Sequence, residues 1–144
     1  MSPFAKQLRA LRTQKGLRQS ELANLLGYEQ PYVSALELGV KGPPTEEFVG
    51  QLISKCQLTL EEQKILREAA TASYRKITVP CDAPEEIFWL FHNLRLQLDH
   101  LHPTQLSLIE MALNLPKEFN RPMQEIAPRI KRRNIKNLKQ GAEM

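Results

Sequence analysis

The side chains from which a catalytic or metal-binding set could be drawn are few, and none of them forms one. His92, His100 and His102 are all the histidines. His100 and His102 stand two apart, and on a helix that spacing sends side chains away from each other. Even with Asp99 beside them, no metal site is expected. Cys56 and Cys81 do not make a C-x-x-C pair. They read as buried or half-buried structural thiols in a reducing compartment. No nucleophile–base–acid set and no phosphate-cradling glycine loop occurs, so neither an enzyme nor a cofactor is expected. Trp89 beside Phe88 reads as core or interface rather than as the wall of an effector pocket.

The segment from Gln19 to Glu37 carries the most structural information. Leu22, Leu25 and Leu26 give a short helix its apolar positions, and Gly27 ends it. Gln30 to Leu38 reads as a second short helix, ended by Gly39. Two short helices crossing steeply need a small residue where their backbones approach, and Ala23 supplies it. The turn between them needs a residue that tolerates positive φ, and Gly27 supplies that. Leu22 and Leu26 from one helix and Val33 and Leu36 from the other then close the angle. This is the sequence logic of a helix-turn-helix.

Other elements must hold that motif. Nearly every segment shows helical periodicity, and no useful strand-like alternation occurs. Ser2 and Pro3 open a first helix with Phe4, Leu8 and Leu11 on one face, and Gly16 stops it. Thr45 opens a fourth helix that buries Phe48, Leu52 and Ile53. Thr59, with Glu62 three residues on, opens a fifth as a capping box. Leu60, Ile65, Leu66 and Ala69 are its expected buried positions. The expected fold is therefore all-α: a five-helix domain over residues 1–74, a linker over 75–84, a helical region over 85–127 and a basic tail over 128–144.

The chain of 144 residues is 42% hydrophobic and 25% charged, the mix of a globular protein, with net charge +4. The charge is uneven. Residues 1–74 hold nine basic against eight acidic side chains, residues 77–127 three against seven, and residues 128–144 six against one. No apolar run approaches the roughly 20 residues needed to cross a bilayer. Nothing resembles a signal peptide at Met1 to Lys6. A cytoplasmic protein with no membrane partner is expected.

The order of residues over Phe4 to Leu66 resembles the lambda-repressor/Cro-like regulators, also called the XRE family. Gln19, Leu22-Ala23, Gly27, Val33-Ser34 and Leu36-Glu37-Leu38-Gly39 match its pattern. The resemblance implies a DNA-binding transcription regulator whose second motif helix enters the major groove. It implies that Gln19 contacts a phosphate and buttresses Gln30, the first candidate base reader. A Gln amide donates and accepts at once, as adenine N6 and N7 require. Pro31 offers only apolar contact, as to a thymine methyl. Tyr32 and Ser34 rank before Ala35 as further contacts, with packing or a phosphate contact the alternative for Tyr32. Arg12 and Glu37 match the positions of a structural ion pair. Lys41, Arg18, Arg9 and Lys15 are candidate phosphate ligands, Lys41 the best placed. Glu29 departs from the family, which more often has Ser or Thr there to cap the helix. A carboxylate at that place is repelled by phosphate or accepts from cytosine N4.

The second half reads as a partner surface. A helix expected from Pro84 to Leu101 places Ile87, Phe91, Leu94, Leu98 and Leu101 on a heptad-like seam, and Pro103 opens another helix to about Leu115. Together these suit dimerisation, and a dimeric repressor on a palindromic operator follows. The alternative is an antitoxin that binds a toxin through this half and represses its own operon. The tail from Arg129 to Lys139 reads either as a DNA-gripping extension or as a solvated end.

Overall fold

A computed structural model describes residues 1–115. The proposed basic tail and everything else beyond Leu115 lie outside those residues. Among the described residues the structure is all helical. It divides into two compact units, Met1–Ala83 and a second beginning at Pro84.

The first unit is five helices: α1 Pro3–Gln14, α2 Gln19–Leu26, α3 Gln30–Glu37, α4 Glu46–Lys55 and α5 Leu60–Ala72. Their boundaries follow from local chemistry. The Ser2 hydroxyl accepts from the Ala5 N–H ahead of Pro3, which has no N–H to lose. Gly16 and Gly27 both sit at positive φ, 68° and 75°, where a Cβ is penalised. The Thr45 hydroxyl accepts from the Phe48 N–H. Thr59 and Glu62 cap α5 reciprocally.

The core is a single apolar cluster. Phe4, Leu8, Leu22, Val33, Leu36, Phe48, Val49, Leu52 and Leu66 are its fully buried members, drawn from all five helices. α1 packs on α3 and α5, while α2 packs on α3 and α4. Ala23 is buried where α2 meets α3, so the backbones can approach there. Ile53 is only partly buried, at the edge of the cluster.

Two expected core positions of α5 are exposed. Leu60 is 83% and Ile65 47% exposed, whereas Leu66 and Ala69 are buried. Leu60 is the first helical residue, ahead of the packed turns. Ile65 neighbours Leu66 in sequence and so points about 100° away from the buried stripe.

One buried polar side chain ties the ends of the unit together. The Ser73 hydroxyl, just past α5, accepts from the Phe4 N–H at 2.9 Å and donates to the Ala69 carbonyl at 2.7 Å. The start of α1 is thereby fixed to the end of α5.

The second unit has α6 Glu85–Gln97, a 3₁₀ turn Leu98–His100 and α7 Pro103–Leu113. The helix expected to run to Leu101 stops four residues early. His102 precedes Pro103, so it is excluded from the α region, and both Leu101 and His102 are extended. The seam is therefore broken. Ile87, Phe91, Leu94 and Leu101 are half-buried, but Leu98 is 61% exposed. Leu90, Leu94, Leu101, Leu108 and Ile109 instead line an open apolar groove shared by α6 and α7.

Candidate nucleic-acid interface

The hydrogen-bond chain that organises α2 and α3 begins in the core. Glu37, in the last turn of α3, is 3% exposed. A buried carboxylate is costly unless paired and fully hydrogen-bonded. Arg12 of α1 provides the pair. Its Nε donates to Glu37 Oε1 at 2.6 Å and its Nη2 to Oε2 at 3.1 Å. Its Nη1 donates to the Leu17 carbonyl at 2.8 Å, fixing the α1–α2 turn as well. The bidentate bond to Glu37 holds the guanidinium pKa above its ordinary value.

Glu37 also orients the next residue. Gln19 Nε2 donates to Glu37 Oε2 at 2.9 Å. A carboxylate only accepts, so the NH₂ of Gln19 must face it and the carbonyl must face outward. That carbonyl accepts from Gln30 Nε2 at 3.1 Å. Gln30 is exposed at the first position of α3. With one amide hydrogen committed to Gln19, it keeps one N–H donor and a carbonyl acceptor. That is the donor–acceptor pair complementary to N7 and N6–H of adenine.

The faces of α3 follow from its turn. Val33, Leu36 and Glu37 are buried. At 100° per residue, Pro31, Ala35 and Leu38 fall opposite them, with Ser34 on the flank beside Gln30. Pro31 is exposed, Ser34 and Ala35 are half-buried, and Leu38 is 65% exposed. Leu38 was not among the residues expected at the site. Its signal was present in the spacing, since it lies seven residues after Pro31 and four after Ser34 on one stripe.

Tyr32 lies on the other flank and packs. Its ring stacks on Tyr28 at 5.2 Å and meets Phe48 edge-on at 5.6 Å. The ammonium of Lys41 lies 4.8 Å from the ring centre. Burial raises the pKa of the Tyr32 phenol, and the neighbouring Tyr28 adds to the rise. Lys41 is otherwise exposed in the loop after α3.

Glu29 caps α3 with no side-chain hydrogen bond, so its carboxylate stands exposed beside Gln30. Arg18 holds the cap position of α2, and its N–H is taken by the Glu21 carboxylate at 2.6 Å. Arg9 and Lys15 are exposed on and after α1. The structure thus brings Gln19, Gln30, Pro31 and Ser34 onto one surface, with Lys41 at the far end of α3. Ile87, Phe91, Leu94, Leu98 and Leu101 belong to the second unit.

Comparison with protein families matches residues 3–66 to one described as a helix-turn-helix domain. That stretch resembles a helix-turn-helix domain of the lambda-repressor-like type. Comparison with curated proteins and with solved structures returns no match. No helix among the described residues is long and apolar enough to cross a membrane.

Proposed function

We propose that this chain is a cytoplasmic, sequence-specific transcription regulator that reads DNA through α3 and represses from a palindromic operator as a homodimer. The observation that carries the reading is the hydrogen-bond chain Arg12–Glu37–Gln19–Gln30. A buried ion pair fixes one amide, and that amide fixes the next, at the exposed start of α3. Such preorganisation lets Gln30 meet a base without first losing rotamer freedom. Gln30 reads adenine, Pro31 and Leu38 offer apolar contact to thymine methyls, and Ser34 serves as a further polar reader. Lys41 and Arg18 meet phosphates.

The dimer is supported by the second unit. Phe88, Trp89, Leu90, Leu106, Leu108, Met111 and Leu113 are all exposed there, and no described residue of α6 or α7 is fully buried. Helices with so much uncovered apolar surface ordinarily find a partner. A second copy of the chain satisfies this and doubles the base pairs read.

Selection of bound duplexes from a random pool tests the reading. The expected product is an inverted repeat, with half-site centres about 10 base pairs or a multiple apart. Recovery of a single asymmetric site would contradict the dimeric operator. Recovery of no enriched sequence would contradict sequence-specific binding.

A further inference from the structure

Arg75 lies outside the helix-turn-helix, three residues past the end of α5, yet its guanidinium donates to the carbonyl of Gly39 in the loop that follows α3. Three local contacts build this placement. Ser73 fixes the end of α5 to the start of α1 through the Phe4 N–H. Gly39 adopts positive φ, 71°, and a Cβ there would lie 3.4 Å from the Ser2 nitrogen, so the loop runs directly against the start of α1. Arg75 then spans from α5 to that loop.

The position has an electrostatic logic. The last carbonyls of a helix form its negative end, which repels phosphate. Arg75 covers the carbonyl two residues past α3, and Lys41 stands two residues further along the same loop. Arg75 has five N–H donors, one described contact among them, and its side chain is exposed. The eight residues of α3 span about 12 Å, close to the roughly 12 Å width of the major groove. A helix of that length set into the groove brings its two ends to the two phosphate walls. Arg18 and Gln19 stand near the start of α3, and Lys41 and Arg75 at its end.

We propose that Arg75 is a phosphate ligand that, with Lys41, clamps the backbone strand beside the C-terminal end of α3. This rests on the DNA-binding reading and extends the interface beyond the domain matched to residues 3–66. The Arg75 contact positions without reading sequence, because phosphates are the same in every sequence.

The test uses the full chain with two duplexes, one recovered by selection and one scrambled from it, titrated between 50 and 200 mM salt. Arg75→Gln and Arg75→Lys are compared with the wild type. Arg75→Gln should weaken binding to both duplexes by the same factor. It should also flatten the salt dependence by about 0.9 in slope, so that affinity falls about 3.5-fold less over that salt range. Arg75→Lys should restore the slope. A purely structural role for the Gly39 contact would lower the unfolding midpoint and leave the slope unchanged. A slope equal to the wild type's in Arg75→Gln, on a duplex the wild type binds, overturns the proposal and leaves the DNA reading standing. Failure of the wild type to bind either duplex overturns both.

Discussion

Glu37 has two tasks, and its removal should show both. It neutralises Arg12 and it dictates which way the Gln19 amide faces. Glu37→Ala leaves Arg12 unpaired. Losing one partner of a buried pair costs about 3–5 kcal/mol, and the lower end is expected here because the Arg12 side chain keeps 15% exposure. Denaturant unfolding measures this. In the fraction that stays folded, Gln19 is free to flip, so discrimination at the base that Gln30 is proposed to read should fall too. The cysteines separate by burial. Cys56 is 7% exposed, and burial raises its pKa, with Lys15 partly opposing. Cys81 is exposed. At neutral pH an alkylating reagent should modify Cys81 quickly and Cys56 only on unfolding. A raised pKa in the folded state stabilises fully below the unfolded thiol value, about 8.5. That contribution is lost as pH climbs through the folded value, so Cys56 should become labile in alkali. The residues of the Arg12–Glu37–Gln19 chain were legible from their matched positions. Ser73 and Arg75 were not, because their partners are 69 and 36 residues away and only the packed ends of α1, α3 and α5 bring them close.

At the scale of elements, the glycine stops make the sharpest prediction. Gly27 sits at φ 75° with nothing within 4 Å of an added Cβ. Gly27→Ala therefore costs only conformational strain, about 1–2 kcal/mol. Gly50, in the middle of α4, also has open space and no positive φ. Gly50→Ala should shift stability the other way by about 0.5–1 kcal/mol, through helix propensity. Thermal or denaturant unfolding of the two variants should therefore move in opposite directions. The starts of α1, α4 and α5 could be read from their caps and the ends of α1, α2 and α3 from glycines, since those boundaries are made by residues within four positions. The limits of such reading appear at Leu60 and Ile65. Apolar type alone does not tell which side of a helix faces the core. The end of α6 follows from a backbone restriction at His102–Pro103 rather than from hydrophobic spacing.

At the scale of the molecule, two units have opposite surface character. The first buries a complete apolar cluster; α6 and α7 leave their large apolar side chains largely open. The proposed dimer predicts that Leu94→Asp, in the groove between α6 and α7, lowers the mass seen by analytical ultracentrifugation to that of a monomer. The unfolding midpoint of the first unit should not change. Trp89 is the single tryptophan and is 58% exposed. Its emission should shift to the red as the wild type is diluted. A monomer at all concentrations would contradict the dimer and turn attention to a different protein partner for these helices.

Gln30, held by Gln19 and Glu37, is proposed to read a base. The most direct test measures wild type and Gln30→Ala against the selected duplex and its single-base variants at one fixed salt concentration. Gln30→Ala should lose about 1–3 kcal/mol on the selected duplex and lose preference at one position in each half-site. The other positions should keep theirs. Equal affinity and an unchanged preference profile in Gln30→Ala would contradict that role.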